Sequence, residues 1–253
     1  MAEVINPCQA GFVPGRRTSD NIIIVQEVIR TLISRRGQTG YVALKLDLEK
    51  AYDRLEWHYI QDTLKFFQLP ATLITLIMNM ISSTRFHVLW NGSPLPEVVP
   101  SRGSRQGDLL SPYLFILCLE RLSIQLTKAV QEKCLHPISF RGQVCLSHLF
   151  FVDDIFFFTR ATARDCRNLG QILSRFCESS GQLTSITKSR VWFSPRTPRR
   201  IKEQLEGILG LPTTDRIGTY LGTPIFTTRR TASSYQYLVE NISKRIEGWQ
   251  TKY

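Results

Sequence analysis

The chain has 253 residues, 43% of them hydrophobic, enough for a sizeable core and too many for wholesale disorder. Lysines and arginines total 32 against 21 acids, a net charge of +11, so the favoured partner is a polyanion: nucleic acid or an acidic membrane surface. Six scattered cysteines with no CxxC pair argue against a zinc site and a disulfide scaffold. The first residues, Met1 to Val4, lack the basic-then-apolar layout of a secretory signal, and no apolar run reaches the roughly 18 residues of a membrane span. The chain therefore reads as soluble and intracellular.

In chain order, helical and extended patterns alternate, which favours an α/β or α+β architecture. Ile22, Val25, Ile29 and Leu32 recur at helical spacing behind a Ser19-Asp20 cap, and Gly37 and Gly40 then break the chain. Residues 41–48 alternate as a strand, with Val42, Leu44, Leu46 and Leu48 on one face and Lys45 and Asp47 on the other. One helix is expected over 49–67 and another from Pro70. Phe86 to Trp90 alternates again and meets Asn91-Gly92, a hairpin-turn signal. Ser111-Pro112 is expected to cap an apolar helix over 113–126. Residues 148–159 read as two very apolar strands interrupted by two aspartates, followed by a helix ending near Gly181. Beyond Lys188 the chain turns basic (Arg190, Arg196, Arg199, Arg200, Lys202), and a last helix is expected over 235–249.

The most informative segment is His148-Leu-Phe-Phe-Val-Asp153-Asp154-Ile-Phe-Phe-Phe158. Ionised acids against apolar walls are costly without a counter-charge, and a divalent cation is a natural one. Asp47 ends a strand of similar character; if the two strands lie side by side, Asp47 and Asp153 point at one spot. Magnesium is commonly held by one or two carboxylates plus substrate phosphates. The bland readings are an ordinary Asp-Asp turn and a solvated strand-end acid paired with Lys45 or Lys50. Between the acids lies Arg102-Gly-Ser-Arg-Gln106-Gly107-Asp-Leu-Leu-Ser-Pro112, whose glycines allow close backbone approach. The helix N-terminus after it suits phosphate.

Six blocks stand in an order that resembles the reverse transcriptases of plant LINE-type, non-LTR retrotransposons. They are GFVPGRRTSDNI (11–22), LKLDLEKAYDRLEW (44–57), RGSRQGDLLSPYLF (102–115), SHLFFVDD (147–154), SGQLTSITKS (180–189) and Tyr220-Leu-Gly. The resemblance implies an α+β right-hand polymerase palm, an antiparallel sheet with packed helices. It divides the chain into partial fingers (1–40), palm with metal site (41–195) and a basic, incomplete palm-to-thumb segment (196–253). It implies RNA-directed DNA synthesis on an RNA template and DNA primer, with deoxynucleoside triphosphates and two magnesium ions. Asp47 and Asp153 would be the principal metal ligands, with Asp154 beside them. Tyr52 would lie under the incoming sugar, Gln106 and Gly107 would line nucleotide and template, and Lys188 would protonate the departing pyrophosphate. Arg16, in the first block, joins the substrate-binding set. Nuclear residence is what the family's life cycle implies.

Val152 stands where the family usually has a small residue, Leu109 where it has proline, Ser104 where it has leucine, and Ser185 where it has asparagine. Val152 is expected to crowd the turn, and Leu109 to loosen a loop. The chain is expected to be truncated at both ends, with weak or no polymerase activity in isolation. Competing readings are a silent remnant that binds nucleic acid, an interaction module and a magnesium-dependent phosphodiesterase.

Overall fold

The computed structural model describes residues 3–35, 40–140, 144–227 and 236–250. Gly37 and Tyr235, two of the expected boundaries, lie outside them. Helix α1 (Thr18–Ser34) buries Val25, Ile29 and Leu32. The residue before it is Arg17, with no side-chain cap, so the expected Ser19-Asp20 cap is instead the first turn. There the Asp20 carboxylate meets the positive end of the helix dipole.

Strand β1 (Tyr41–Asp47) is followed not by one helix but by two, α2 (Ala51–Arg54) and α3 (Trp57–Phe66). The break has a tertiary cause. The Leu55 carbonyl accepts from Gly103 N–H at 2.8 Å, and Glu56 N–H donates to the Ser180 carbonyl at 2.9 Å. Backbone groups spent on distant segments cannot also continue a helix. Helix α4 (Ala71–Ser82) starts after Pro70. Strands β2 (Leu89–Trp90) and β3 (Ser93–Pro94) then form the hairpin around Asn91-Gly92.

Helix α5 (Ser111–Gln131) runs beyond the expected 113–126. The residue before it is Leu110, with no side-chain cap, so the expected Ser111 cap is instead the first turn; Leu110 N–H donates to the Asp108 carboxylate at 3.0 Å in the loop that leads in. A hairpin that the sequence pattern did not announce follows, β4 (Ile138–Phe140) and β5 (Val144–Leu146). Strands β6 (His148–Phe151) and β7 (Asp154–Arg160) form the apolar pair, and α6 (Ala163–Ser180) ends on Gly181 in the left-handed conformation. The remainder is β8 (Arg190–Phe193), α7 (Arg199–Leu209), the short pair β9 (Thr219–Tyr220) and β10 (Thr223–Pro224), and α8 (Gln236–Gln250).

The central sheet has the order β6-β7-β1-β8, antiparallel throughout. Because side chains alternate along β1, each face feeds a separate core. Val42, Leu44 and Leu46 join Ile155 and Phe157 under α3, α5 and α6. Tyr41 and Ala43 join Phe156, Phe158, Trp192 and Tyr220 under α1. The face expected to be polar is thus covered along most of its length. Helices packed on an antiparallel sheet make this an α+β fold.

Candidate active site at the open end of the sheet

The second face is polar only where the cover stops, at Lys45 and Asp47. The β1–β7 ladder pairs Asp47 with Asp154 and Lys45 with Phe156. Directly paired residues of an antiparallel ladder project to the same face, so Asp47 and Asp154 sit together. Asp153 lies one residue earlier, exposed in the two-residue turn that joins β6 to β7. The register thus places Asp154, not Asp153, directly opposite Asp47, with Asp153 beyond it at the rim.

Electrostatics record the crowding. Burial pushes the Asp154 carboxyl above its usual range, the neighbouring Asp153 and Asp47 carboxylates push it further, and Lys45 and Lys188 oppose the rise. Lys45 Nζ stands 3.9 Å from Asp154 Oδ1 and donates to the Thr219 carbonyl at 2.6 Å. Lys188 Nζ stands 3.6 Å from Asp47 Oδ1. Among the described residues, no group of three or more His, Cys, Asp or Glu side chains is gathered closely enough to cage a metal ion. The donor set is hard oxygen and incomplete, which fits a cation whose shell is finished by phosphate oxygens and water. It does not fit a closed structural site.

Lys188 reaches Asp47 because the segment before β8 is laid along the end of β1. Glu49 N–H donates to the Leu183 carbonyl at 2.8 Å and Ser185 N–H to the Asp47 carbonyl at 2.9 Å. Asp47 N–H donates to Ser189 Oγ at 3.1 Å. The backbone of Ser185 makes this contact, so serine in place of asparagine leaves it intact. Gln182 Nε2 donates to the Ala51 carbonyl at 2.7 Å, tying the same segment to α2.

Tyr52 is half-buried, its ring 5.0 Å from that of Phe115. Burial raises its hydroxyl pKa, and the Asp153 carboxylate adds to the rise. The loop of residues 102–110 is bound to both α2 and α3. Ser104 N–H donates to the Tyr52 carbonyl at 2.9 Å, and Trp57 Nε1 donates to the Gly103 carbonyl at 2.7 Å. Gly103 has φ +87°, and a Cβ there would lie 2.6 Å from the Asp53 carbonyl oxygen, so no other residue fits. The result is a pocket of about 640 Å3 lined by Phe12, Tyr52, Gln106, Gly107, Pro112 and Tyr113 among others, with the N-terminal end of α5 in its wall. Leu109 is on the pocket rim and 88% exposed.

Arg16 braces its own segment, its guanidinium donating to the carbonyls of Ile5 (2.8 Å), Asn6 and Gln9. The sequence pattern also missed Lys45 as the partner of Asp154, having offered it to Asp47. A ladder register is needed to see that pair.

Residues 1–238 match the family described as reverse transcriptase (RNA-dependent DNA polymerase). The chain belongs to that family. It is 32% identical over 153 residues to the Pol polyprotein of the type-2 retrotransposable element R2DM of Drosophila melanogaster, covering 60% of the chain and 14% of that protein. It is 33% identical over 120 residues to the transposon TX1 149 kDa protein of Xenopus laevis, covering 47% of the chain and 9% of that protein. The chain thus matches only a small part of these retrotransposon proteins. A mitochondrial protein of Arabidopsis thaliana is 47% identical over 72 residues, 27% of the chain and 59% of that protein. Telomerase from Candida tropicalis, solved with a fragment of telomeric RNA, superposes with a TM-score of 0.53 at 13% identity, over 90% of this chain and 34% of that one. The Candida albicans enzyme gives 0.52 at 16% identity, over 69% and 30%. At such identities the likeness establishes the polymerase-palm fold alone.

Proposed function

We propose that this reverse-transcriptase-family chain is the catalytic core of an RNA-directed DNA polymerase, joining deoxynucleotides to a primer 3′-hydroxyl on an RNA template. The observation that carries the reading is the register that seats Asp47 opposite Asp154, with Asp153 in the adjoining turn and the Tyr52–Gln106–Gly107 pocket beside them. Reverse transcriptases use divalent metal ions, and here Asp47 and Asp153, with Asp154 beside them, would hold two magnesium ions. Bound there, the ions would supply Lewis-acid activation of the attacking hydroxyl and offset the charge that develops on the phosphate.

The chain's own residues do the rest. Tyr52 supplies a flat apolar wall for the sugar, stiffened by Phe115. Gln106 and Gly107 line the nucleotide and template, and the α5 N-terminus favours the triphosphate's negative charge. Lys188, 71% exposed and 3.6 Å from Asp47, is free to swing towards a departing pyrophosphate and give it a proton. Because base pairing selects the nucleotide, the protein reads duplex shape and backbone, which a net charge of +11 supports. Fingers before residue 41, palm over 41–195 and thumb from 196 remain our division of the chain, and a nuclear site of action our expectation.

The test is extension of a DNA primer on an RNA template with magnesium, beside an Asp153→Ala/Asp154→Ala variant and Asp47→Asn. The parent should extend slowly, and either variant should lose at least ~10³-fold, several kcal/mol of transition-state stabilisation. No extension by the parent, with equal primer–template binding in all variants, would leave a nucleic-acid-binding remnant and remove every catalytic role above.

A further inference from the structure

We infer that Gln9 and Gly11 are positioning residues that set the Val152–Asp153 turn, holding it in the form that presents the acids. The functional half of this inference rests on the proposed metal-dependent activity; the structural half does not.

Val152 has φ +57° and is 6% exposed. A β-branched residue pays heavily for the left-handed region, so its surroundings must impose that conformation. The surroundings are a strap formed by residues 5–16. Gln9 lies in parallel register with Phe150; Phe150 N–H donates to the Cys8 carbonyl at 2.7 Å, and Ala10 N–H to the Phe150 carbonyl at 3.0 Å. From this edge position the buried Gln9 side chain reaches the turn, where Oε1 accepts from Val152 N–H at 3.3 Å and from Gly11 N–H at 2.9 Å.

Two details show that the arrangement is specific. A Cβ on Gly11 would lie 2.4 Å from Val152 Cγ2 and 3.0 Å from Val152 N, and Gly11 is not at positive φ. Glycine is required there for room to seat Val152, not for backbone freedom. Meanwhile Gln9 Nε2 is buried without a hydrogen-bond partner. An apolar residue of similar length would avoid that loss, so what the amide provides is its acceptor oxygen. The strap is itself anchored away from the acids. Asn6 N–H donates to the buried Glu120 carboxylate on α5 at 3.0 Å, and Arg16 grips the carbonyls of Ile5, Asn6 and Gln9. Val152 therefore does not merely crowd the turn; it is the knob by which the strap holds it.

The experiment compares the parent chain with Gly11→Ala, Val152→Ala, the two combined, and Gln9→Met, which keeps length and removes the acceptor. Hydrogen–deuterium exchange over residues 150–155 reads the turn without metal, and a Mn2+ titration followed by electron paramagnetic resonance reads the acids. Gly11→Ala and Gln9→Met should speed exchange in that segment and weaken Mn2+ binding by roughly tenfold, the usual effect of losing an outer support of metal ligands. In the double variant, loss of Cγ2 should return both readouts most of the way to those of Val152→Ala. Parent-like exchange in Gly11→Ala and Gln9→Met, or a double variant no better than Gly11→Ala, would overturn the inference. Should Gly11→Ala fail to fold, recovery of folding in the double variant supports the strap and failure in both overturns it. If the exchange pattern holds but the parent binds no Mn2+, the proposed activity falls and the strap stands. If Mn2+ binds and exchange is indifferent to the strap, the reverse holds.

Discussion

Among the described residues three hairpins have two-residue turns, and two of them, at Asn91-Gly92 and Val152-Asp153, are made in opposite ways. At Asn91-Gly92 both residues have positive φ, +50° and +82°, and both are exposed. Asparagine and glycine are the residues that tolerate such angles, so the turn is specified by its own chemistry and needs nothing from the rest of the fold. At Val152-Asp153 the first residue has φ +57° although it is β-branched, and it is buried. Nothing local favours that turn; packing against Gly11 and the bond to Gln9 impose it. Of these two turns, the one that breaks the local rule is the one that carries the acids, where a fixed shape matters more than an inexpensive one.

The largest way to break the comparison is to place the same charge in each turn. Val152→Asp would bury a carboxylate beside Asp153 and Asp154 with no added cation, and should cost about 3–5 kcal/mol of folding stability. Asn91→Asp adds a charge at an exposed turn and should stay within about 0.5 kcal/mol. Urea unfolding at neutral pH measures both. Equal losses would show that Val152 is held no more tightly than Asn91.

The strand leading into the acidic turn carries a second buried polar group. His148 is 2% exposed, with Nε2 2.9 Å from Ser123 Oγ and Nδ1 2.8 Å from Ser147 Oγ. Burial lowers its pKa from 6.5 to about 4. The unfolded chain therefore takes up this proton first as the solution is acidified, so stability is full above pH 6.5 and declines as the pH falls to about 4. The gap between those values corresponds to about 3 kcal/mol. Glu120, one helical turn before Ser123, runs the other way: burial raises its carboxyl from 4.5 to about 7, so its contribution declines as pH rises through that window. His148→Gln should flatten the acid limb of the stability profile below pH 6.5 and leave the limb due to Glu120. A profile unchanged by His148→Gln would mean that the histidine is solvated in the folded chain.

These contrasts also explain what could be read from the sequence. The β1 pattern, the Asn91-Gly92 turn and the Gly181 helix end were legible because alternation and turn chemistry are local. The association of Asp47 with the paired aspartates was legible as a resemblance, since six blocks in order carry more information than any one of them. The split between α2 and α3 was not, because it is caused by Gly103 and Ser180, dozens of residues away. Nor was the pairing of Asp47 with Asp154 rather than Asp153, which depends on the turn occupying residues 152–153. Arg16 looked like a substrate contact by position in its block. Its guanidinium also donates to carbonyls of its own strap, a contact that no residue pattern reveals.

A smaller effect tests whether the Asn91 turn really stands alone. Asn91→Val puts a β-branched residue at φ +50° and should cost about 1–2 kcal/mol of hairpin stability. Faster amide exchange at the Phe86–Val98 bridge would report it, with no change over residues 150–155. Valine is thus expected to be disruptive in the exposed turn though it is accommodated in the buried one. Equal exchange changes in both segments would show the hairpins to be coupled.

The smallest expected effect concerns the cations that stand among the acids. Lys45 lies 3.9 Å from Asp154, at the outer limit of an ion pair, so the pair is worth little in folding, and Lys45→Met should change stability by less than about 1 kcal/mol. Its electrical effect should be plainer. Lys45 is the chief influence opposing the rise of the Asp154 pKa, ahead of Lys188. Removing it should raise that pKa further, so that Asp154 binds a proton at higher pH, a change visible in carboxyl carbon-13 shifts. A protonated carboxyl is a poorer ligand for a cation, so Mn2+ binding in Lys45→Met should weaken on the acid side of its range and recover as pH rises. Lys188→Met, which removes the partner of Asp47, should displace the Asp154 titration less. If Lys188→Met displaced it more than Lys45→Met, the acids would be governed from the β8 side of the sheet rather than from β1, and Lys188 would hold the charge balance of the site in place of Lys45.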